Sequence, residues 1–278
     1  MNKQQFLVVT GACILLFSLY FFGRTKPLAK QPLKNEASVQ RPDFASILAR
    51  AKSQLTPEQV SRLTALENSV VRGDVKNQKI AVYDQLASFW KDSVPAGWLN
   101  AYYLGEKAKL ENLENSLTFA AHLFLRELRG DNDPAIRTWM ANEAKDLFIK
   151  ALSINPDNDS TKVGLGSCSF FGAAGGSSPM EGIQQIREVA ERDTSNAFAQ
   201  FMLGYGGIIS GQFDKAAERF LKVVQLTPDD TEAVFLLAEA YEKMGEKAKA
   251  VEWYENGKKR VKSAELIHAI NDKINSLK

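Results

Sequence analysis

Residues 197–230, AFAQFMLGYGGIISGQFDKAAERFLKVVQLTPDD, and residues 231–264, TEAVFLLAEAYEKMGEKAKAVEWYENGKKRVKSA, decide the fold. Numbered from 1, each 34-residue segment has Leu203 or Leu237 at position 7 and Gly204 or Ala238 at position 8. Ala216 and Ala250 fall at position 20, Phe220 and Tyr254 at position 24, and Pro228 closes the first segment at position 32. A period of this length, with small residues in each half and one ring in the second, marks a helix–turn–helix repeat. Positions 8 and 20 are expected to be small because two antiparallel helices cross there, and the ring at 24 fills the space beside the crossing. Pro228 lacks an N–H and ends the second helix, after which Asp230 or Thr231 can cap the next. Each pair leaves an apolar face that only the next pair can cover, so the pairs must stack.

The pattern extends upstream. Leu165-Gly166 repeats the Leu-Gly step 38 residues before Leu203-Gly204, with four extra residues before its second helix. Ala144, Phe148, Ala151 and Pro156 fit positions 20, 24, 27 and 32 of a still earlier copy, whose first helix is displaced and longer, from about Leu113 to Arg129. These residues resemble the tetratricopeptide repeat family over about residues 113–262. The resemblance implies an all-α chain, a right-handed α-solenoid, and a concave groove lined by positions 2, 5, 9 and 12 of each first helix. On this sequence those positions include Val163 and Phe170 in the second repeat, and Phe198, Phe201, Tyr205 and Ile208 in the third. Phe235, Glu239 and Glu242 follow in the fourth, with Glu232 beside them, so the groove is read as aromatic with an acidic far end. The family's carboxylate clamp needs Lys at position 5 and Asn at position 9. Val163, Phe201 and Phe235, and Ser167, Tyr205 and Glu239, stand there instead, so chaperone C-terminal carboxylates are not the expected ligand.

The N-terminal part reads differently. Phe6 to Phe22 is a 17-residue run without charge, reaching about 25 Å as a helix. With Arg24 and Lys26 after it and no small-residue cleavage site, it predicts an uncleaved transmembrane anchor over residues 1–23. The basic flank favours a cytoplasmic location for the domain beyond it, with the periplasmic face as the alternative. Residues 24–41 form a basic, proline-bearing linker. The overall charge is +2, but Lys3 and the linker supply a net +5, which leaves −3 on residues 42–278. That balance argues against a nucleic-acid surface.

About eleven helices are expected after the linker. Thr56-Pro57-Glu58-Gln59 has the residues of a capping box with proline at the first helical position. Gly73, Pro95 and Gly130 are read as helix stops, and Asp133-Pro134 as a start. Residues 42–112 are either degenerate repeats or a separate helical cap. Residues 263–278, with Leu266, Ile270, Ile274 and Leu277 on one face, are a capping helix.

Nothing in the sequence assembles a catalytic or metal centre, so no enzyme, cofactor or metal is expected. The glycine-rich stretch 164–179 lacks the Gly-Lys-Ser/Thr ending of a phosphate loop and follows no strand. Gly164 and Gly166 are read as close-packing positions and 172–178 as a lengthened turn. Cys168 has neither base nor orienting group nearby in sequence and reads as a small core residue. Asp157-Asn158-Asp159 lacks the glycine and glutamate of a calcium loop and reads as a cap. His122 reads as an ordinary helix residue. The expected function is a membrane-tethered scaffold that holds a protein or peptide segment in its groove and supports assembly or maturation of a complex. A self-associating structural module, and an enzyme with a site around Trp90, Trp98, Tyr102, Tyr103, Glu106 and His122, are the alternatives.

Overall fold

The computed structural model describes residues 44–72, 75–93, 97–130, 133–171 and 178–278. The expected anchor over residues 6–22, the linker over 24–41 and the junctions at Gly73 and Pro95 lie outside the described residues. No helix among the described residues is long and apolar enough to cross a membrane.

The described chain forms thirteen α-helices, two more than the sequence reading counts. They are α1 (Phe44–Lys52), α2 (Pro57–Arg72), α3 (Lys76–Ser93), α4 (Gly97–Glu111), α5 (Glu114–Gly130), α6 (Pro134–Ile154), α7 (Asp159–Cys168), α8 (Pro179–Arg192), α9 (Ala197–Ser210), α10 (Phe213–Leu226), α11 (Thr231–Lys243), α12 (Lys247–Lys258) and α13 (Ala264–Leu277). A 3-10 turn, Ser169–Phe171, follows α7.

The caps are where the sequence puts them. The Thr56 N–H donates to Gln59 Oε1 at 2.9 Å, and the Gln59 N–H returns to Thr56 Oγ1 at 3.3 Å. Asp133 accepts from the Ala135 N–H at 2.9 Å ahead of Pro134, and Asn158 accepts from the Thr161 N–H at 3.0 Å. Gly211 and Gly245, both at position 15 of their repeats, turn the chain with φ of 73° and 78°, the left-handed region in which a Cβ is strained.

Consecutive helices pack against each other from α2 to α13. Contacts between second neighbours, α5 with α7, α7 with α9 and α9 with α11, line the first helices of the pairs up in one layer. Their partners α6, α8, α10 and α12 pack behind them.

Within the third repeat the crossing differs in register from the sequence reading. A Cβ on Gly207 would lie 3.0 Å from the Ala216 Cβ, so position 11, not position 8, meets position 20. Gly204 at position 8 is small for another reason. The buried Phe220 ring lies on it, and a Cβ there would come within 3.0 Å of two ring atoms. Between repeats, Gly164 receives the Phe148 ring; within the second repeat, a Cβ on Gly166 would lie 2.8 Å from the Gly182 carbonyl oxygen. Cys168 is buried among these contacts, and burial pushes its thiol far above the ordinary range.

One continuous buried cluster runs from Ile47 to Ala240, so residues 44–111 share their core with the repeats. Phe44 on α1 stacks on Tyr102 at 3.7 Å and faces Trp139 at 6.0 Å. Arg50 donates to Asp133, the cap of α6, at 3.0 Å. A second, smaller cluster joins Ala238, Ala250 and Tyr254 to Ile274 and Leu277 of α13, whereas Leu266 on the same helix is exposed.

Candidate functional site

The layer of first helices should present an open groove, and α5 is what changes it. At 17 residues it is longer than α7, α9 and α11, which have 10, 14 and 13. Its successive turns meet the starts of those three helices in order. Glu114, in its first turn, accepts from Asn158 Nδ2 at 2.7 Å and from Thr161 Oγ1 at 3.3 Å, both at the start of α7. His122, two turns on, lies 2.9 Å from Ser160 Oγ on α7 and packs edge-on against Phe198, in the first turn of α9, at 4.8 Å. Arg129, in the last turn, sits 5.3 Å over the Phe201 ring and reaches Glu232 at the start of α11. The ion pair is bidentate, with Nε to Oε1 at 2.9 Å and Nη2 to Oε2 at 3.0 Å. The Arg129 side chain is 15% exposed, so the pair is partly shielded from solvent.

The aromatic stripe of α9 is therefore largely covered by the chain itself. Phe198, Phe201 and Tyr205 fall at helical spacing on one face. Phe198 remains half-buried under His122. Phe201 is 7% exposed, wedged between Arg129 and Phe220, the latter 5.6 Å away edge-on. Tyr205 tilts against Phe171 at 6.0 Å. Burial raises the Tyr205 phenol, Arg129 and Arg137 oppose that shift, and Glu232 and Glu239 add to it. Arg137 stands 5.7 Å over Phe171, and its buried Nε has no hydrogen-bond partner among the described residues.

The other expected groove residues divide. Val163 is fully buried in the core between helices and lines no open surface. Phe170 lies in the 3-10 turn after α7. Ile208 is half-buried against the main core. Phe235 turns inward, where Gly257 has no Cβ and leaves room for its ring. Glu239 is half-buried in the field around Tyr205. Glu242 is occupied, accepting from Tyr254 Oη at 2.9 Å and from Lys273 Nζ at 2.7 Å. Burial works against its ionised form, but these two bonds outweigh it and hold its carboxyl below the ordinary range.

What stays accessible is a cleft of about 240 Å³ where α5, α9 and the α10–α11 turn meet. Ala197, Phe198 and Phe201 give it an apolar side. Arg129, Asp230 and Glu232 form a charged rim, and Thr227 completes it. Sequence reasoning found the two rings but missed Arg129, Thr227 and Asp230 as lining residues. The signal available for Arg129 was its place in the last turn of the displaced, lengthened helix. Among the described residues no three His, Cys, Asp or Glu side chains converge as a metal site would require. His122 is more than an ordinary helix residue. Burial, helped by Arg129, lowers its pKa to about 4, so the ring is neutral where it bridges Phe148, Phe198 and Ser160.

A family model described as "Tetratricopeptide repeat" matches residues 208–270, so the chain carries repeats of this type there. The structure of TTC0263, a thermophilic TPR protein of Thermus thermophilus, superposes with a TM-score of 0.51 at 14% identity, covering 73% of this chain and 98% of that one. That likeness shows the fold. MamA from Desulfovibrio magneticus RS-1 (residues 41 to the end) aligns at 17% identity, with a TM-score of 0.40, over 68% of this chain and 96% of that one. YrrB, described as a TPR protein with an unusual peptide-binding site, aligns at 16% identity, with a TM-score of 0.39, over 75% of this chain and 98% of its own. No curated protein matches the chain.

Proposed function

We propose that this chain of tetratricopeptide-type helix pairs is a binding module rather than an enzyme, and that it takes a protein or peptide segment at the cleft between α5, α9 and α11. The observation that carries the reading is the meeting of Phe198 and Phe201 with a charged rim in one accessible concavity. A few desolvated aromatic contacts ringed by polar groups are what supply most of the affinity in peptide recognition. The rim holds one cation, Arg129, against two carboxylates, Asp230 and Glu232. Glu239 adds a third carboxylate beside Tyr205. The preferred segment therefore places an apolar side chain against Phe198 and a lysine or arginine beside Glu232.

The apolar run at residues 6–22 tethers the module to a bilayer, on the cytoplasmic side by the charge of its flank, and the bound segment belongs to a complex whose assembly or maturation it supports. Resistance of the full-length chain to carbonate extraction, with protease accessibility from one side only, tests the tether and its orientation.

The cleft is tested with a displayed random-peptide library selected on the full-length chain. Wild type should enrich sequences with an aromatic or aliphatic residue next to a basic one. Phe198→Ser and Thr227→Trp, which remove one wall and fill the void, should lose that enrichment while keeping the helical circular dichroism. Enrichment that is indifferent to both substitutions would move the site elsewhere.

A further inference from the structure

A second concavity, away from the cleft, lies where α8, α9 and the start of α10 meet. Its volume is about 100 Å³. Gly206 and Gly207 of α9 present only backbone to it. Three cations line it: Arg187 from α8, and Lys215 and Arg219 from α10. Among the described residues none of the three has a carboxylate within ion-pair distance, whereas Arg192, at the end of α8, pairs with Asp159. The carboxylates on the same helices, Glu181, Glu188 and Glu191 of α8 and Asp214 and Glu218 of α10, do not line the concavity.

Two of the three cations, Lys215 and Arg219, are held by side-chain amides. Gln212 Oε1 accepts from Lys215 Nζ at 2.7 Å, and its Nε2 donates to Ser210 Oγ at 2.9 Å. Gln212 thus makes no side-chain cap on α10, which leaves the first-turn N–H groups uncapped by a side chain at the same place. Arg219 Nη1 donates to Gln200 Oε1 at 2.7 Å. Gln200 is fully buried, one turn before Leu203 on the same face of α9, and its Nε2 has no hydrogen-bond partner among the described residues. A buried donor without an acceptor costs stability, and so do three like charges around one void.

We infer that this concavity binds a phosphate-class dianion, with Arg187, Lys215 and Arg219 neutralising it. Two charges on a compact tetrahedral group match three converging cations better than a carboxylate does, and guanidinium forks suit its oxygen spacing. The free ion and a phosphoryl group carried on a peptide share this chemistry.

The test is calorimetric titration of the full-length chain with inorganic phosphate, with phosphoserine-containing tripeptide, and with acetate at matched ionic strength. Phosphate should bind saturably, and more tightly than acetate. Arg187→Gln and Lys215→Gln, both at exposed positions, should each weaken it about tenfold with the helical signal unchanged. Tighter binding of the phosphotripeptide would assign the site to a carried phosphoryl group, and equal or weaker binding to the free ion. Non-saturable heats, equal affinity for acetate, or affinity untouched by both substitutions would overturn the inference.

Discussion

Replacing Phe220 with alanine removes a fully buried ring from the crossing of α9 and α10, and the structure sets the size of the effect. Deleting a phenyl group at such a site costs about 3–5 kcal/mol in lost transfer energy and residual cavity. Part of that is the edge-on contact with Phe201 at 5.6 Å, a geometry worth about 0.5–1.5 kcal/mol. The informative partner is Gly204→Ala. Inside a helix this exchange gains about 0.8–1 kcal/mol in propensity. Here the new methyl would lie 3.0 Å from two Phe220 ring atoms, and such overpacking costs about 1–3 kcal/mol. Gly204→Ala should therefore destabilise the wild type or leave it near neutral. In the Phe220→Ala background the obstacle is gone, and the same exchange should stabilise by about 1 kcal/mol. The coupling across the double-mutant cycle should be about 1–3 kcal/mol. Urea denaturation followed by far-ultraviolet circular dichroism measures it, with midpoints compared across all four proteins because repeat arrays need not unfold in two states. A Phe220→Ala cost below about 1 kcal/mol, or a Gly204→Ala effect that is the same in both backgrounds, would refute the packing described.

Three further outcomes concern single sites. His122 titrates at about 4 when folded and near 6.5 when unfolded, so its contribution is whole above pH 6.5 and is lost as pH falls toward 4, at up to about 1.4 kcal/mol per pH unit. His122→Gln should flatten that part of the stability–pH curve, as read by denaturation at stepped pH. Cys168 is 1% exposed, and burial disfavours its thiolate. In a Cys13→Ser chain, Ellman's reagent should therefore label it only through opening, a fraction of about 10⁻³ or less. Gly257→Ala would set a methyl 2.6 Å from the Phe235 ring and should lower stability by about 1–3 kcal/mol in thermal melts, with Phe235→Leu restoring part of the loss.

Much of this architecture can be read from residue spacing. The 34-residue offset of Leu203-Gly204 from Leu237-Ala238, and the capping residues Thr56, Asp133 and Asn158, mark helices locally, because period and cap chemistry act over a few residues. The glycine register was harder to read. A small residue at position 8 is equally consistent with backbone approach and with a ring lying over it, and only coordinates separate Gly207 against Ala216 from Gly204 under Phe220. The candidate site was legible only in part. Position rules pick out Phe198, Phe201 and Tyr205 as one stripe, but they assume a first helix parallel to its successors. The contacts of Arg129 with Glu232, 103 residues away, arise from the lengthened α5 running past the starts of α7, α9 and α11. No local pattern reports that path. Val163 illustrates the same limit: its position number places it on a groove, and its neighbours bury it.

The path of α5 is the central claim, and cross-linking tests it most directly. In a Cys13→Ser chain, Arg129→Cys with Glu232→Cys, treated with a short bifunctional maleimide, should give an intramolecular link in the monomer band, located by peptide mass. The control pair Arg129→Cys with Glu265→Cys, whose second position lies on α13, should give none. Failure of the first pair to link in the folded protein, or equal linking of both pairs, would contradict the account.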